Sequence, residues 1–339
     1  MIYISFIIPC FNSSEYMRHC IDTILCCKDD VEILIVDDGS NKDNTLEIAK
    51  EYENKYNGIC RAIHKENGGH GDALNVGIEN AKGVFIKVVD SDDWVDEEVL
   101  KKLVNVVKEN YNANKNVDLY ITNFIYDKVG QANKKIMKYD DNIPANQIIK
   151  FSDMKKFKLG HYLLMHSLCY SKNVLIKSNL NLPKKTYYVD NIYAYKPLQY
   201  VSDVYYLNEN LYHYFIGRND QSVNQEVMIK RLSQQYLVTE IMLYDVDVMS
   251  VKDLVLRQYM INYMSIVMTI TSIMSILSGD KYWLDKKNEL WNELKNKNYP
   301  LYRKLRFCLL GIVMNFKTRL GRFVAKVSYK IANKIYGFN

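Results

Sequence analysis

This sequence of 339 residues lacks the cysteine spacing of a zinc site or a disulfide framework. Its seven cysteines include no Cys-x-x-Cys pair, and Cys10, Cys26 and Cys27 fall in segments that are predicted to be core elements. Cysteines of this kind behave as small apolar residues in a reducing compartment. No signal-peptide pattern is expected either, because an apolar strand already begins at Ile2.

Acidic residues are missing from the last part of the chain. No Asp or Glu follows Glu293, whereas eleven Lys and Arg residues do, and the other 34 basic residues are outnumbered by 39 acidic ones. The net charge of +6 is therefore a property of this tail. From Leu305 to Ile331, apolar residues recur at helical spacing with basic residues on the other face. This pattern predicts an amphipathic helix on an anionic membrane; the alternative is a helix packed on the rest of the protein.

Two further absences argue against nucleic acid as a partner and against a membrane-spanning segment. No nucleic-acid reading motif and no aromatic stacking platform accompanies the basic tail, so nucleic acid is not an expected partner. Residues 258–279 carry no charge and are nearly long enough to span a bilayer, but seven Asn, Ser and Thr residues dilute them. A buried or partner-facing helix is favoured there over a membrane span.

The strongest positive signal is the acidic segment Asp90–Asp93, which directly follows the apolar run 84–89. That run is predicted to be a buried strand, and ligands bind at the carboxyl end of such strands in open α/β sheets. Crowded carboxylates repel one another unless a cation neutralises them, and Mg²⁺ or Mn²⁺ suits oxygen ligands and bridges to phosphates. The alternative is a solvated turn that caps a helix beginning near Asp96.

Two more strands end in polar residues. The strands are 2–9 and 31–36, and each is succeeded by a segment with helical spacing, 15–27 after the first and 45–56 after the second. Alternating strands and helices predict a parallel, doubly wound sheet whose strand ends meet at one edge. The residues brought to that edge are Phe11, Asn12, Asp37, Asp38, Asp90 and Asp92.

Six short segments in the first third of the chain resemble family 2 glycosyltransferases, in the family's order and spacing. They are IIPCFN (7–12), VDDGS (36–40), ENGG (66–69), NVGI (75–78), AKG (81–83) and VDSDD (89–93). The resemblance implies an α/β GT-A fold, a doubly wound, mostly parallel, Rossmann-like sheet with a helical C-terminal appendage. It also implies metal-dependent, inverting transfer of one hexose or N-acetylhexosamine from a nucleotide-diphosphate sugar, with a UDP-sugar expected, to an acceptor hydroxyl.

The resemblance assigns roles to single residues. Phe11 stands where an aromatic ring packs on the base, and Asp38 stands where a carboxylate accepts from the base. The expected nucleotide-sugar contacts are Pro9, Phe11, Asn12, Asp38, Asn67, Gly68, Gly69, Asn75, Asp90 and Ser91. The expected ligands of Mn²⁺ or Mg²⁺ are Asp90, Asp92 and His213.

Inverting transfer needs a general base opposite the leaving group. The family places this base in an acidic pair well downstream, and the matching segment here is 187–193. Val189 replaces the first acid, so Asp190 is the predicted base; the alternative is that it only caps the following segment. Further on, His213 is predicted to complete the metal site or else to be a packing residue, and Arg218 to meet a phosphate.

The chain also departs from the family. Leu74 stands where many members have an Arg that reaches the nucleotide. His70 and Asp72 are unusual, and His70 is expected to be a surface-loop residue rather than a neighbour of the phosphates or acceptor. No Gln-x-x-Arg-Trp stretch occurs, which favours addition of one sugar per encounter over processive synthesis.

The expected organisation is a glycosyltransferase domain over 1–224 and a helical region with the basic tail over 225–339. Within the first, 1–126 is the nucleotide-sugar half and 127–224 the acceptor side, and the polar segment 127–144 is a candidate mobile flap. The expected setting is the cytoplasm, peripheral at the inner face of the cell membrane. There the expected partners are a nucleotide-sugar, the membrane and a surface polysaccharide, teichoic acid or lipid-linked glycan.

Two other functions remain as alternatives. A sugar-nucleotidyltransferase would also use a metal and a doubly wound sheet, but it would want a Gly-rich loop with Arg or Lys after the first strand, and 9–13 is not such a loop. A catalytically inactive scaffold recruited to the membrane is the second alternative. Intact acids at the strand ends argue against it.

Overall fold

The structure is a computed structural model that describes residues 1–128, 134–158, 160–216 and 225–336. The chain divides into two compact units. The first comprises 1–155 and 163–218, and the second comprises 156–162 and 219–339.

One sheet organises the first unit, and within the described residues it has ten strands. They are β1 (Ile4–Cys10), β2 (Val31–Asp37), β3 (Cys60–His64), β4 (Phe85–Val88), β5 (Trp94–Val95), β6 (Leu119–Lys128), β7 (Lys135–Met137), β8 (Ile148–Lys150), β9 (Leu168–Ser171) and β10 (Asp203–Ile216). Their order is β3-β2-β1-β4-β9-β6-β10-β5, while β7 pairs with β6 and β8 pairs with β10.

Strand direction changes across this sheet. Strands β3, β2, β1 and β4 are parallel, as are β6 and β10, whereas β9 runs antiparallel between β4 and β6. All seven residues of β1 and of β2 are buried, which explains their continuous apolar sequence because central parallel strands are covered on both faces. The result confirms the predicted α/β class with a mostly parallel sheet, and it delivers the ends of β1, β2 and β4 to one edge.

Six helices accompany this sheet in the described part of the first unit. They are α1 (Met17–Ile24), α2 (Thr45–Lys55), α3 (His70–Asn80), α4 (Glu97–Asn112), α5 (Lys172–Lys177) and α6 (Val189–Tyr195). Asp96 caps α4, since its side chain accepts from Val99 N at 2.9 Å. The apolar residues of α4 recur at helical spacing and are buried, so this helix packs as an amphipathic helix should.

The segment predicted to be a flap is instead packed, where the structure describes it. Lys135–Met137 pairs antiparallel with 124–126, and both Tyr139 and Ile143 are fully buried. The apolar residues of this segment hold it on the sheet, and its polar composition concealed them. Residues 129–133 lie outside the described part.

The second unit is helical, as predicted for the C-terminal region. Its described helices are α7 (Gln225–Lys230), α8 (Leu232–Tyr244), α9 (Leu254–Ser278), α10 (Lys281–Lys297), α11 (Tyr299–Arg306), α12 (Leu309–Met314) and α13 (Arg319–Tyr336). By length and composition α9 alone among the described helices resembles a membrane span, but 72% of its most apolar window is buried. Its hydroxyl residues bond to neighbouring helices: Thr271 to Thr239 at 2.8 Å and Ser272 to Trp291 at 3.1 Å.

The basic tail is not one continuous helix, which corrects the sequence prediction. It breaks after Arg306 and again after Met314. At each restart a side chain caps the new helix: Cys308 Sγ accepts from Gly311 N at 3.4 Å, and Thr318 Oγ1 accepts from Gly321 N at 3.0 Å. Such caps satisfy amides that a helix leaves unpaired at its start, so the chain can change direction there.

Candidate functional site

The end of β2 supplies two buried carboxylates. Asp38 accepts hydrogen bonds from Gly68 N at 2.8 Å, Gly69 N at 2.7 Å and Lys65 Nζ at 2.6 Å. Asp37 accepts from Ser40 N and lies 2.6 Å from His64 Nδ1. Asp38 therefore fixes the glycine loop after β3, and its role as acceptor from a base stays a prediction.

The end of β1 presents an aromatic ring. Pro9 is buried within β1, whereas the side chain of Phe11 is half-exposed. Asn12 adopts a left-handed backbone with φ 49°, and its Oδ1 accepts from the amides of Asn41 and Lys42, each at 3.1 Å. The turn is thus fixed by Asn12, which leaves the ring of Phe11 available for stacking.

The glycine loop is tied to the chain segment that leads to α6. Gly68 O accepts from Lys185 N at 2.6 Å. Gly69 has φ +85°, and a Cβ there would lie 3.0 Å from the backbone of Lys185. Asn75 Oδ1 accepts from Leu182 N, and its amide donates to Leu182 O, both at 2.9 Å. The predicted nucleotide residues Gly68, Gly69 and Asn75 therefore also position the loop that precedes α6 and Asp190.

Asp90 lies just after β4 and bonds to a histidine that sequence reasoning expected on the surface. His70 Nε2 lies 2.8 Å from Asp90 Oδ1. Burial by itself would raise the pKa of Asp90, but the adjacent His70 holds this pKa below the usual range. Burial likewise opposes the charged form of His70, whereas Asp90, Asp190 and Asp92 raise its pKa above the ordinary value. The sequence did not reveal this bond, because the partner of His70 is distant in sequence.

Asp93 forms the inner side of this acidic edge. It is almost fully buried, and it accepts from the Tyr212 hydroxyl and from Phe215 N, the latter at 2.8 Å. Burial, together with the charges of Asp90 and Asp92, raises the pKa of Asp93 well above its usual range. Asp93 thus joins the acidic turn to β10 in addition to contributing a carboxyl group.

A second histidine completes a group of potential metal ligands. Among the described residues, Asp90, Asp93 and His166 each place a ligand atom within 4.8 Å of the others. His166 is buried between rings, with centroid distances of 4.9 Å to Tyr212 and 4.4 Å to Tyr214.

The protonation state of His166 decides whether Asp90, Asp93 and His166 can together bind a metal ion. Burial lowers the pKa of His166 to about 4, so the ring is neutral and keeps a lone pair. Within the described residues no hydrogen-bond partner reaches its Nδ1. A neutral imidazole beside carboxylates is a donor set that divalent transition metals accept, and the residues therefore fit the predicted cation. No sequence pattern pointed to this histidine, because it precedes an ordinary apolar strand.

His213 is not a member of that group, and its role as a metal ligand stays a prediction. Its Nδ1 lies 3.0 Å from Asp127 Oδ2, and its ring stacks on Trp94 with a centroid distance of 5.1 Å. Successive side chains of a strand point to opposite faces, so the neighbours Tyr212 and Tyr214 face His166 while His213 faces away. The other predicted residues of the turn stay close to Asp90: Asp92 is half-buried and Ser91 is buried.

Asp190 lies in the first turn of α6, near the acidic edge. The cap position is occupied by Tyr188, with φ 67°, so the alternative role of Asp190 as the N-cap is not adopted. Burial raises the pKa of Asp190; His70 lowers it and Asp90 raises it further. Asp190, His70 and Asp90 are thus close enough to interact electrostatically. Arg218 lies outside the described residues.

Comparisons with known proteins find similarity to glycosyltransferases. Residues 5–162 match the family model described as glycosyl transferase family 2. Glycosyltransferase GlyG of Streptococcus pneumoniae is 39% identical over 123 residues, which are 36% of this chain and 38% of that protein. The poly(ribitol-phosphate) beta-glucosyltransferase of Bacillus spizizenii is 39% identical over 111 residues, which are 32% of this chain and 17% of that protein. A third relative, from Bacillus subtilis, is matched over 60% of its length; the chain thus spans less than two thirds of each.

A likeness to a solved structure extends over nearly the whole chain. The crystal structure of S. aureus TarS residues 1–349 in complex with UDP-GlcNAc has a TM-score of 0.56 and 18% identity. The similarity covers 98% of this chain and 92% of that one. At this identity the likeness shows the fold, and the fold is the one that the sequence resemblance predicted.

Proposed function

Because residues 5–162 of this chain match the model of glycosyl transferase family 2, we propose that the protein transfers one sugar from a nucleotide-diphosphate sugar to an acceptor hydroxyl, with inversion at the anomeric carbon. One observation carries the proposal. His70 bonds Asp90 at 2.8 Å and interacts electrostatically with Asp190, and the surroundings push the pKa values of the two carboxyl groups in opposite directions, down for Asp90 and up for Asp190. Two carboxyl groups with opposite shifts are suited to different tasks in one reaction.

Asp190 is the proposed general base. The acceptor oxygen attacks the anomeric carbon, the bond from that carbon to the diphosphate oxygen breaks, and the hydroxyl proton passes to the carboxylate of Asp190. A carboxylate whose pKa is raised accepts a proton more readily than an ordinary one, and its task is best matched as that pKa approaches the working pH. The position of Asp190 is set by Gly68 and Asn75, which hold the loop before α6.

Asp90, Asp93 and His166, whose ligand atoms lie within 4.8 Å of one another, are the residues that would hold Mn²⁺ or Mg²⁺, together with Asp92 of the same turn as the sequence predicted. When bound, the cation supplies Lewis-acid stabilisation for the negative charge of the departing diphosphate. His70 orients Asp90 through the bond at 2.8 Å, and hydrogen bonds of this kind to ligating carboxylates tune metal sites. Phe11, exposed at the end of β1, is the proposed platform for the base of the nucleotide.

The proposed donor is a UDP-linked hexose or N-acetylhexosamine, and the proposed acceptor belongs to envelope-polymer assembly. Support comes from TarS, whose structure was solved with UDP-GlcNAc, and from the relative that is named a poly(ribitol-phosphate) beta-glucosyltransferase. We propose surface polysaccharide, teichoic acid or lipid-linked glycan as the acceptor class. The proposed setting is the cytoplasmic face of the membrane.

A panel of UDP- and GDP-sugars tests this function. The purified protein should release a nucleoside diphosphate from one donor in the presence of Mn²⁺, and Asp92→Asn should not. Formation of a nucleotide-sugar from a sugar phosphate and a nucleoside triphosphate would support the nucleotidyltransferase instead. A chain that binds no donor in calorimetry, with or without Mn²⁺, would fit the scaffold alternative.

A further inference from the structure

The second unit exposes apolar side chains in one continuous stretch of sequence. Of the twenty large apolar residues that are exposed in the described part of the chain, nine fall between 307 and 331. The others are spread over the rest of the chain, as is ordinary for a protein surface, whereas a concentration of this kind marks an interaction site. The most prominent members are Phe307, Leu309, Phe316, Leu320, Phe323 and Ile331, which we call the docking face.

The helix α13 separates three kinds of residue around its axis. At about 100° per residue, Leu320, Phe323 and Ile331 share one face and are exposed. Gly321 and Ala325, both buried, lie on another side, and the position of a Cβ on Gly321 would be only 2.3 Å from Phe316 Cβ. Small residues therefore make the close contacts of this helix within the unit. The large apolar residues stay uncovered by the described part of the chain.

Basic residues border the docking face. On α13 they occupy a third side of the helix and are Arg319, Arg322, Lys326 and Lys330. Beside the face, a cavity of about 470 Å³ between α9, α11 and α12 is lined by Arg303, Lys304, Phe307 and Leu309 among others. Two cations next to apolar walls match the chemistry of a phosphate headgroup with its adjoining acyl region.

We propose that the docking face binds an anionic bilayer, with α13 lying in the headgroup region and its basic side against lipid phosphates. Helices with a large apolar face and Lys or Arg beside it bind in this way. A second copy of the chain is a poorer occupant, because two copies of a surface without acidic residues after Glu293 would place cations against cations. The inference concerns the second unit and does not depend on the proposed transferase activity.

Vesicle sedimentation with the full-length protein tests the surface. The protein should bind vesicles that contain equal parts of phosphatidylglycerol and phosphatidylcholine, and it should bind pure phosphatidylcholine much less. Binding to the anionic vesicles should weaken as salt is raised, because salt screens the electrostatic part. Equal binding to both kinds of vesicle would overturn the proposal.

Two matched pairs of variants locate the contact. Leu320→Ser should weaken binding about 10-fold, whereas Leu254→Ser should not, although the two leucines are 73% and 70% exposed. Lys330→Gln should weaken binding about 5-fold, whereas Lys252→Gln, at another exposed lysine of the same unit, should not. Circular-dichroism melting curves establish that each variant is folded.

The remaining outcomes are also decisive. If all four variants bind like the wild type, the docking face is not the contact and the proposal fails. If light scattering shows a dimer that Leu320→Ser dissociates, the face joins two copies of the chain instead. Donor hydrolysis in solution should be unchanged in all four variants, so a failure of the membrane proposal is distinguishable from a failure of the proposed function.

Discussion

The two units depart from ordinary globular packing in opposite ways. The first unit buries charged groups: Asp38, Asp93 and Lys87 are each at most 3% exposed. The second unit exposes apolar groups, such as Leu309 and Leu320, which are 75% and 73% exposed. Burying a charge and exposing a large apolar side chain are both unfavourable without a partner. The difference between the units lies in where those partners are found.

In the first unit the chain itself supplies the hydrogen-bond partners of the buried charged side chains. Lys87 Nζ donates to the carbonyl of His166 at 2.8 Å, and burial lowers the pKa of Lys87 to about 8. Asp38 and Asp93 accept from several donors each. These bonds hold the acidic edge in a fixed geometry before any ligand arrives, which is what a catalytic site requires. The docking face is left uncovered by the described part of the chain, and this is why we assign it an external partner.

The largest effect is expected from a substitution of Asp92, because the acidic edge is assigned a chemical role in addition to a structural one. Asp92→Asn should abolish transfer and weaken metal-dependent nucleotide binding while the fold stays intact, since Asp92 is only half-buried. Calorimetric titration of a nucleoside diphosphate with Mn²⁺ measures the binding, and a melting curve measures the fold. Full activity of the wild type in EDTA would contradict the assignment.

Asp190 is expected to show the next largest effect. Asp190→Asn removes the proposed base and should lower kcat by about 10²-fold or more, with the affinity for the donor nearly unchanged. Glu79→Gln is the control, since Glu79 is an exposed carboxylate on α3. Wild-type turnover in Asp190→Asn would reject the role, and so would a product that retains the anomeric configuration of the donor.

The two histidines of the metal assignment compare a ring that lies within the group of potential metal ligands with one that lies outside it. His166→Phe keeps a ring between Tyr212 and Tyr214 but removes the nitrogen donor, so the affinity for Mn²⁺ should fall about 10-fold. His213→Phe should leave this affinity unchanged, because His213 bonds Asp127 instead. Electron paramagnetic resonance of free Mn²⁺ measures both. Equal affinities in the two variants would show that His166 is a packing residue.

The smallest effect is expected from the charge of His70. His70→Gln retains a donor toward Asp90 but removes a positive charge that lowers the pKa of Asp190. The pKa of Asp190 should therefore rise, and the acidic limb of the kcat profile should move to higher pH, since a protonated base cannot accept the acceptor proton. A profile measured with saturating donor tests the shift. A limb that stays in place, or moves to lower pH, would show that His70 does not act on Asp190.

Much of the site was predictable where it depends on strand ends. The three predicted strands form at 4–10, 31–37 and 85–88. Asp37 and Asp38 stand at the end of the second strand, and Asp90 follows the third. The glycine loop was predicted as a nucleotide contact, but its bonds to Lys185 and Leu182 were not. Those bonds join positions more than a hundred residues apart, and a pattern read from neighbouring residues carries no information about them.

The orientation of the histidines shows most clearly what the sequence left open. Strand β10 has register shifts between Leu207 and Asn210 and between Asn210 and Tyr212. Each such irregularity can exchange the two faces of a strand, because side chains alternate with a period of two. The alternation of side chains along the sequence therefore could not predict that Tyr212 and Tyr214, rather than His213, would face Asp90.

The sequence by itself determined the apolar strands, the acids at their ends and the concentration of positive charge after Glu293. These properties depend on composition and short-range periodicity, which act through the local backbone. Only the tertiary structure decided that His70 and His166 join the acidic edge, and that the tail is three helices whose apolar side chains stay exposed. The physical reason is that hydrogen-bond partners, burial and strand register are set by contacts between segments far apart in the chain.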